Sequence, residues 1–359
     1  MFNCMNNKKV TIPPFIPDKH LLLVGNPTSN SGKALRRIEL AQHFLTEKKV
    51  PFEFRATLPD GKTVDMVRDA VDNDDFDTVV YMGGDGTFYE VATGIVTSSR
   101  SGSVKMGMLP SGTANDQGKS FGISSAESAL DENINIVLRA HTEVIDVGKV
   151  TAYDINDKII STDYFFDSVG WGLSAAILAF RNKELELVKK MPVVRDMYRD
   201  QAVYIRAGIH VFGLNWLTRD RFSVEIDVDG KVHMLNGLSD LVISNTAVYA
   251  GEWLLDANSS PSDGMVEIAP FASLADWTRK LIVKHKKNPF PYDFVEKIGL
   301  SSAVNLQGRL IKIRFFRPAV DKHLPAQRDG EEFVTAEDYQ IEVLPRVLSV
   351  IVPKNFHWI

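Results

Sequence analysis

The segment Gly83-Gly84-Asp85-Gly86-Thr87 has the residue types needed to bind a phosphate group. It directly follows an apolar run, Val79 to Met82, that is typical of a buried strand, and it precedes a predicted helix from about Phe88. Glycines let the backbone turn sharply and bring its N–H groups close to a phosphate, and the helix N-terminus adds partial positive charge. Asp85 could act through Mg²⁺ or polarise a hydroxyl, and Thr87 could donate to a phosphate oxygen. The alternative is a tight turn in which both side chains only cap the helix.

A second turn of similar composition, Leu109 to Asp116, follows the predicted strand Lys105 to Leu109 and contains glycine, threonine, asparagine and aspartate. In an open parallel sheet, ligands bind at the carboxyl ends of the strands. We therefore expect both loops to line one crevice.

Two common nucleotide-binding motifs are absent. A dinucleotide fingerprint that starts at Gly84 needs glycine at position 89, which is Tyr89. A P-loop over Gly25 to Lys33 has the wrong glycine spacing, and Ala34 replaces the Ser or Thr that would hold Mg²⁺. The loops are therefore neither those of a Rossmann dehydrogenase nor those of a P-loop kinase.

The composition is that of a folded protein without a basic field. The chain has 359 residues, which suggests about two domains, and 44% hydrophobic with 24% charged residues argues against wholesale disorder. Its net charge of −5 disfavours nucleic acid as a partner. No apolar run has the roughly 18 to 20 residues of a membrane span, so any membrane contact is expected to be peripheral. The lone Cys4 excludes an intramolecular disulfide and a Cys-rich zinc site, and residues 1–20 are interpreted as a flexible leader.

The elements that must position the loops alternate between strands and helices from Leu21 to about Thr142. Strands are predicted at Leu21–Val24, Thr78–Met82 and Lys105–Leu109, and this alternation is typical of a mostly parallel sheet. One face of the first helix is predicted to consist of Ala34, Leu35, Ile38, Ala41, Phe44 and Leu45.

Beyond Thr142 the sequence favours a second, mainly antiparallel domain. Two amphipathic stretches, from about Leu173 to Phe212 and from about Leu274 to His285, interrupt it. Its β-branched and aromatic segments are Ile159–Phe166, Phe222–Val228, Leu241–Ser244, Val266–Ile268, Leu310–Phe316 and Tyr339–Leu344.

Taken together, the motifs resemble those of the diacylglycerol kinase catalytic-domain superfamily, especially the soluble bacterial lipid kinases, with sphingosine and ceramide kinases as relatives. The resemblance extends from about Leu21 to Val352, although the Gly-Gly-Asp-Gly loop alone is shared with NAD kinases and phosphofructokinases. The motifs occur in the order Asn26-Pro27 to Ser31-Gly32, Gly83 to Thr87 with Glu90-Val91, Leu109 to Asp116, Gly170-Trp171-Gly172, Asp263-Gly264-Met265 and Asp329-Gly330-Glu331.

The resemblance implies an α/β nucleotide-binding domain of the NAD kinase and diacylglycerol kinase type, followed by a β-sandwich-like lipid-binding domain. ATP would lie in the cleft between them. The expected boundaries are 21–142 for the first domain and 143–345 for the second, with 346–359 returning to the first. A homodimer is left open.

The resemblance also implies roles for individual residues. Glu331 would be the general base that takes the proton of the lipid hydroxyl, and Asp85 would also be catalytic. A Mg²⁺ site would include Asp263, with Ser260 and Met265 as further ligands through their backbone carbonyls. The positions that would contact ATP are Asn26, Thr57, Gly83, Gly84, Asp85, Gly86, Thr87, Glu90, Gly112, Thr113 and Asn115.

Without the family resemblance, the sequence predicts only ordinary turns at two of these sites. Asp329-Gly330 alone predicts a hairpin turn with Glu331 as its exposed flank, and Ser262-Asp263-Gly264 is likewise a turn signal. A turn and a metal site are compatible, because a turn exposes both a carboxylate and carbonyl groups.

The sequence departs from its relatives at three positions that bear on the substrate. Asp167 stands where many relatives have Asn, and Tyr89 stands where bacterial relatives usually have Asn, which puts one ATP contact in doubt. Ser174 replaces an acidic residue that in sphingosine kinases helps to hold the amino alcohol. A neutral acylglycerol is therefore the more plausible lipid alcohol substrate.

A lipid kinase must reach its substrate in a bilayer, so we expect a cytoplasmic protein with reversible, peripheral membrane association. Basic residues interleave with apolar ones around Trp277 to Lys287 and around Arg181 to Met191, a mixture that can lie on an anionic membrane. A core helix with a solvated basic face is an equal alternative. For function as a whole, the alternatives are a kinase for a soluble substrate such as NAD and a catalytically weak nucleotide-binding regulator.

Overall fold

The first part of the chain alternates parallel strands with helices. The computed structural model describes residues 21–28, 33–74, 76–112, 115–189, 221–249, 253–254, 259–272, 276, 306–316 and 324–358. The parallel strands lie side by side in the order β2-β1-β3-β4. The elements are β1 Leu21–Gly25, α1 Lys33–Glu47, β2 Phe52–Ala56, α2 Lys62–Asn73, β3 Thr78–Gly83, α3 Asp85–Val96, β4 Lys105–Pro110, α4 Asp116–Ser120 and α5 Leu130–Arg139.

Helices cover both faces of this parallel sheet, which explains why its central strands are apolar throughout. Leu22 and Val24 of β1 pack in a core with α2 and α3, whereas Leu21 and Leu23 pack in a core with α1 and α5. Alternation along one strand thus assigns its side chains to the two faces in turn.

Two local predictions for this part are wrong. The helix after the first glycine loop begins at Asp85 and not near Phe88, because Gly84 adopts an extended conformation and serves as the N-cap without any side-chain hydrogen bond. Leu35 does not belong to the buried face of α1, since it is 47% exposed whereas Ala34, Ile38 and Ala41 are buried.

The second part is rich in strands, and its described residues include one long helix. Its two sheets enclose a shared apolar core that includes Val150, Trp171, Ile243 and Ile311. The elements are β5 Thr142–Tyr153, β6 Ile159–Phe165, β7 Ser168–Gly172, α6 Leu173–Lys189, β8 Phe222–Val228, β9 Lys231–Leu238, β10 Asp240–Ser244, β11 Val248–Tyr249, β12 Trp253–Leu254, β13 Val266–Phe271, β14 Leu306–Gly308, β15 Leu310–Phe316, β16 Ala326–Arg328, β17 Glu331–Phe333 and β18 Asp338–Ile351.

One long strand joins the two parts. Near its end, β18 pairs in parallel with β4 through Ser349 and Val350, and near its start it pairs antiparallel with β15. The large sheet therefore continues as β4-β18-β15-β8-β9, with β5 also on β18 and β6 beyond β5. A second sheet has the order β14-β13-β10-β7-β16-β17, and β11 pairs with β12 in a small separate sheet.

The expected fold class, an α/β part followed by a β-sandwich-like part, is confirmed. The domain boundaries 21–142, 143–345 and 346–359 remain a prediction. Beyond β18, Trp358 packs edge-on against Phe121 of the first part, with 5.6 Å between ring centroids.

The two stretches predicted to approach a membrane lie only partly within the described residues. Residues 277–287 and 190–191 lie outside the described residues, as do the side chains of 184–189 in α6. In the part of the chain that the structure describes, no helix is long and apolar enough to cross a membrane.

Candidate active site

The two glycine loops touch each other through their backbones. Gly83 at the end of β3 is in register with Pro110 at the end of β4, and the Ser111 N–H donates to the Gly83 carbonyl at 2.7 Å. A Cβ added to Gly84 would lie 3.2 Å from the Gly112 Cα. A Cβ added to Gly112 would lie only 2.4 Å from the Gly84 Cα, so position 112 needs glycine for this close approach, and the structure brings the two predicted loops together.

Asp85 ties the first loop to the second. Its Oδ2 accepts the Asn115 N–H at 2.8 Å, and its Oδ1 accepts the Gln117 N–H at 3.4 Å. Burial raises the pKa of Asp85, and these backbone N–H groups oppose the shift. The side-chain amide of Asn115 in turn brackets Gly112, accepting from its N–H at 2.8 Å and donating to its carbonyl at 2.6 Å.

The N-terminus of α3 is shaped to accept an anion. Gly84 caps the helix without a side-chain hydrogen bond, and Gly86 in the first turn is exposed, with nothing within 4 Å of the place where a Cβ would be. Thr87 packs back over Gly83, where any added Cβ would overlap its side chain. An α-helix of 12 residues whose N-cap makes no side-chain hydrogen bond, with open space beside Gly86, has a geometry that suits a phosphate.

Of the other predicted ATP contacts, Asn26 and Thr57 lie at the same edge of the sheet as the glycine loops. Thr57 follows β2 and donates its N–H to the Gly25 carbonyl at 3.0 Å, so Asn26 and Thr57 share the strand-end edge on which the loops lie. The Oδ1 of Asn26 accepts the Thr28 N–H at 3.0 Å.

Glu90 contacts α2 instead. Burial raises the pKa of Glu90, and a hydrogen bond with Thr63 of α2 opposes that shift. Thr113 lies outside the described residues.

The hairpin between β16 and β17 carries Glu331 and lies close to α3. Asp329 at its turn has a φ of 47°, and its carboxylate accepts three consecutive N–H groups, from Phe166 at 2.9 Å, Asp167 at 2.8 Å and Ser168 at 3.0 Å. The Phe166 ring contacts Phe88 of α3 edge-on, with 5.5 Å between centroids. Burial raises the pKa of Asp329 to about 6. Glu331 itself is exposed at the start of β17.

A buried carboxyl group lies between the glycine loops and the hairpin. Asp167 accepts a hydrogen bond from the Thr246 hydroxyl and is only 8% exposed. Burial raises its pKa well above the usual value, and the charges of Asp116, Asp329 and Asp85 add to the shift. Carboxylates from both parts of the chain thus share one region, which the sequence analysis did not predict.

The predicted metal loop is held by an aspartate that the sequence analysis missed. Asp146 of β5 accepts the Gly264 N–H at 2.6 Å and the Arg346 N–H at 2.7 Å. Asp263 is exposed and accepts the Met265 N–H at 3.0 Å, and burial followed by the Asp146 charge raises its pKa. A fully buried aspartate within the apolar run Val144 to Val147 was the available signal for Asp146.

The donor set of this loop suits a hard cation. One exposed carboxylate beside turn carbonyls, including that of Ser260, offers the oxygen ligands that Mg²⁺ prefers. In the described ranges, no group of three or more His, Cys, Asp or Glu side chains is arranged to hold a metal ion. A Mg²⁺ site here would therefore depend on main-chain carbonyls and water.

Comparisons with known proteins agree with this geometry. Residues 20–150 match the family of the diacylglycerol kinase catalytic domain. Diacylglycerol kinases of Staphylococcus aureus strains JH9 and Newman are each 32% identical over 142 residues, 38% of this chain and 42% of theirs. The match thus spans less than half the length of those relatives.

Solved structures share the fold over most of the chain. A diacylglycerol kinase from Bacillus anthracis strain Sterne has a TM-score of 0.65 at 19% identity, covering 93% of this chain and 97% of that one. Yeast NADH kinase in complex with NADH has a TM-score of 0.51 at 10% identity, covering 95% and 84%. Over residues 20–150, this chain is therefore similar to the diacylglycerol kinase catalytic domain.

Proposed function

We propose that the chain is an ATP- and Mg²⁺-dependent lipid kinase that phosphorylates the hydroxyl of diacylglycerol or a similar lipid alcohol. One observation carries the proposal: the Glu331 hairpin lies against α3, the helix whose N-terminus the two glycine loops prepare for a phosphate. This arrangement would hold a phosphate cradle and a candidate carboxylate base in one region of the molecule.

Different residues would have different roles in the proposed phosphoryl transfer. The glycine loops and the first turn of α3 would hold the nucleotide phosphates through backbone N–H groups. Glu331, which is exposed, would take the proton of the lipid hydroxyl. The hydroxyl oxygen would then bond to the γ-phosphorus while the bond between that phosphorus and the ADP oxygen breaks. Asp263, with carbonyls of Ser260 and Met265, would hold Mg²⁺, which supplies positive charge to the reaction.

The environment of Ser174 supports a neutral lipid. Its N–H and hydroxyl both donate to Asp240 Oδ1, at 3.2 and 3.1 Å. Burial raises the pKa of Asp240 to about 8, so this carboxyl group is mostly uncharged at pH 7. Neither residue offers the fixed negative charge that would favour a cationic amino alcohol.

The proposed cellular setting follows from the chemistry. A cytoplasmic enzyme would meet ATP in solution and its lipid at a membrane surface, with which it would associate reversibly. The basic stretches around 181–191 and 277–287 are the proposed contact, and a homodimer remains open.

The test is transfer of labelled phosphate from ATP with Mg²⁺ into a panel of acceptors in mixed micelles. The panel contains diacylglycerol, monoacylglycerol, sphingosine, ceramide and phosphatidylglycerol, with NAD as the soluble control. We expect label in an acylglycerol. Label in NAD alone would favour the soluble-substrate kinase, and ATP binding without label in any acceptor would favour the regulator.

A further inference from the structure

Arg328 is a buried cation at the junction between α3 and the hairpin. It is 9% exposed, and its guanidinium carbon lies 3.7 Å from the centroid of the Tyr89 ring. Its Nε lies 3.2 Å from Oδ2 of Asp163, and the Tyr89 hydroxyl donates to Oδ1 of the same carboxylate. Tyr89 and Asp163 therefore fix the plane and position of the guanidinium.

These contacts leave the guanidinium incompletely satisfied. The Nε–Asp163 pair lacks hydrogen-bond geometry, and Nε and Nη1 have no hydrogen-bond partner among the residues that the structure describes. Arginine has five N–H donors, and burying such a charge without full pairing is costly. An anionic ligand that accepted hydrogen bonds from these N–H groups would complete the pairing of the guanidinium.

The position of Arg328 relative to the proposed phosphate cradle identifies that ligand. Tyr89 lies four residues after Asp85, about one helical turn into α3. On the other side, Arg328 directly precedes Asp329, whose carboxylate binds the backbone at 166–168. The Arg328 guanidinium thus contacts α3 about one turn from its N-terminus, and Arg328 belongs to the hairpin that carries Glu331.

The loops themselves supply no cation. The segments 83–90 and 109–116 contain Asp85, Glu90 and Asp116 and neither lysine nor arginine. A transferring phosphoryl group develops charge on its oxygens that positive groups must stabilise. Arginine suits this role because its planar fork can donate two parallel N–H bonds to one phosphate.

We propose that Arg328 binds the terminal phosphate of the nucleoside triphosphate, with Tyr89 and Asp163 as its positioning residues. The proposal rests on the proposed function, because it assumes that a triphosphate occupies the cradle. It assigns to this chain a phosphate contact built on the packing of Arg328 against Tyr89.

The test compares nucleotides that differ in the terminal phosphate. Isothermal titration of the full chain measures the Kd of AMP-PNP and of ADP, each with Mg²⁺, for wild type, Arg328→Met and Arg328→Lys. We expect Arg328→Met to weaken AMP-PNP by about tenfold or more while ADP changes less than about twofold. Arg328→Lys should lie between, since lysine keeps the charge and loses the fork. Arg314→Met is the matched control: Arg314 pairs with Asp338 at 2.9 and 2.7 Å on an exposed sheet face and should leave both affinities unchanged.

The outcomes distinguish a failure of the Arg328 assignment from a failure of the proposed function. If Arg328→Met weakens both nucleotides equally, or neither, the role of Arg328 is structural and the proposal is wrong. Should that variant fail to fold by thermal unfolding, a folded Arg328→Lys with the wild-type ratio of the two affinities would overturn the proposal. If the wild type binds neither nucleotide, the proposed function itself fails, and the assignment of Arg328 fails with it.

Discussion

Replacing Gly112 with alanine places a methyl group where the backbone of Gly84 already lies. The added Cβ would lie 2.4 Å from the Gly84 Cα, 3.2 Å from the Gly84 N and 3.1 Å from the Asn115 Oδ1. To reach an ordinary carbon contact of about 3.5 Å with the Gly84 Cα, the two loops must separate by about 1 Å. Overpacking of this kind costs about 1–3 kcal/mol of stability. A displacement of about 1 Å in a group that positions substrate can cost about 100-fold in rate.

The assay pairs ATP affinity by isothermal titration with thermal unfolding, and Gly94→Ala is the matched control. A Cβ at Gly94 would lie 2.7 Å from the Val67 Cβ and 2.8 Å from the Val64 carbonyl oxygen, so it overpacks the contact between α2 and α3. Both variants should lower the unfolding temperature, and only Gly112→Ala should lose ATP affinity, by at least about tenfold. ATP affinities that fall equally in the two variants, or in neither, would refute the role given to the loop contact.

Two further predictions concern charged groups. Burial raises the pKa of Asp240 to about 8, so its contribution to stability is complete below the unfolded value of about 3.9 and is lost as pH rises through about 8. Asp240→Asn should therefore flatten the fall in unfolding free energy between pH 5 and 8.5, measured by urea titration, and parallel wild-type and variant profiles would contradict this. Mg²⁺ at about 100 times its Kd should stabilise the wild type by about 2.7 kcal/mol. Asp263→Asn should lose most of that gain in thermal unfolding, whereas an equal Mg²⁺ response would exclude Asp263 as a ligand.

The strands and the two glycine loops could be predicted because their signals are local. Apolar runs that lead into glycine-containing turns mark β3 and β4, and their shared parallel direction predicts that the following loops meet at one edge. The start of α3 was misplaced because an extended glycine caps it, and glycine gives no side-chain capping signal. Leu35 was misassigned because periodicity alone does not define the limit of a buried helix face.

The contacts between distant segments could not be predicted from one sequence. Asp329 binds N–H groups some 160 residues earlier in the chain, a contact set by the register of β16 on β7. The stacking of Arg328 on Tyr89 likewise requires both the hairpin and α3 in place. Asp146 is different, since an aspartate within an apolar strand is a visible signal that its carboxylate must find buried partners.

The most direct test of the central claim measures phosphate transfer from ATP to diacylglycerol by wild type, Glu331→Gln and Glu332→Gln. Glu332 is the matched control, because it is also exposed at the start of β17 and accepts a hydrogen bond from the Asn182 side chain at 2.9 Å. Loss of a general base costs about 100-fold or more in rate. We predict such a loss in Glu331→Gln with ATP affinity retained, and near wild-type transfer in Glu332→Gln. Full activity in Glu331→Gln, or a wild type that binds ATP and phosphorylates no lipid, would contradict the account.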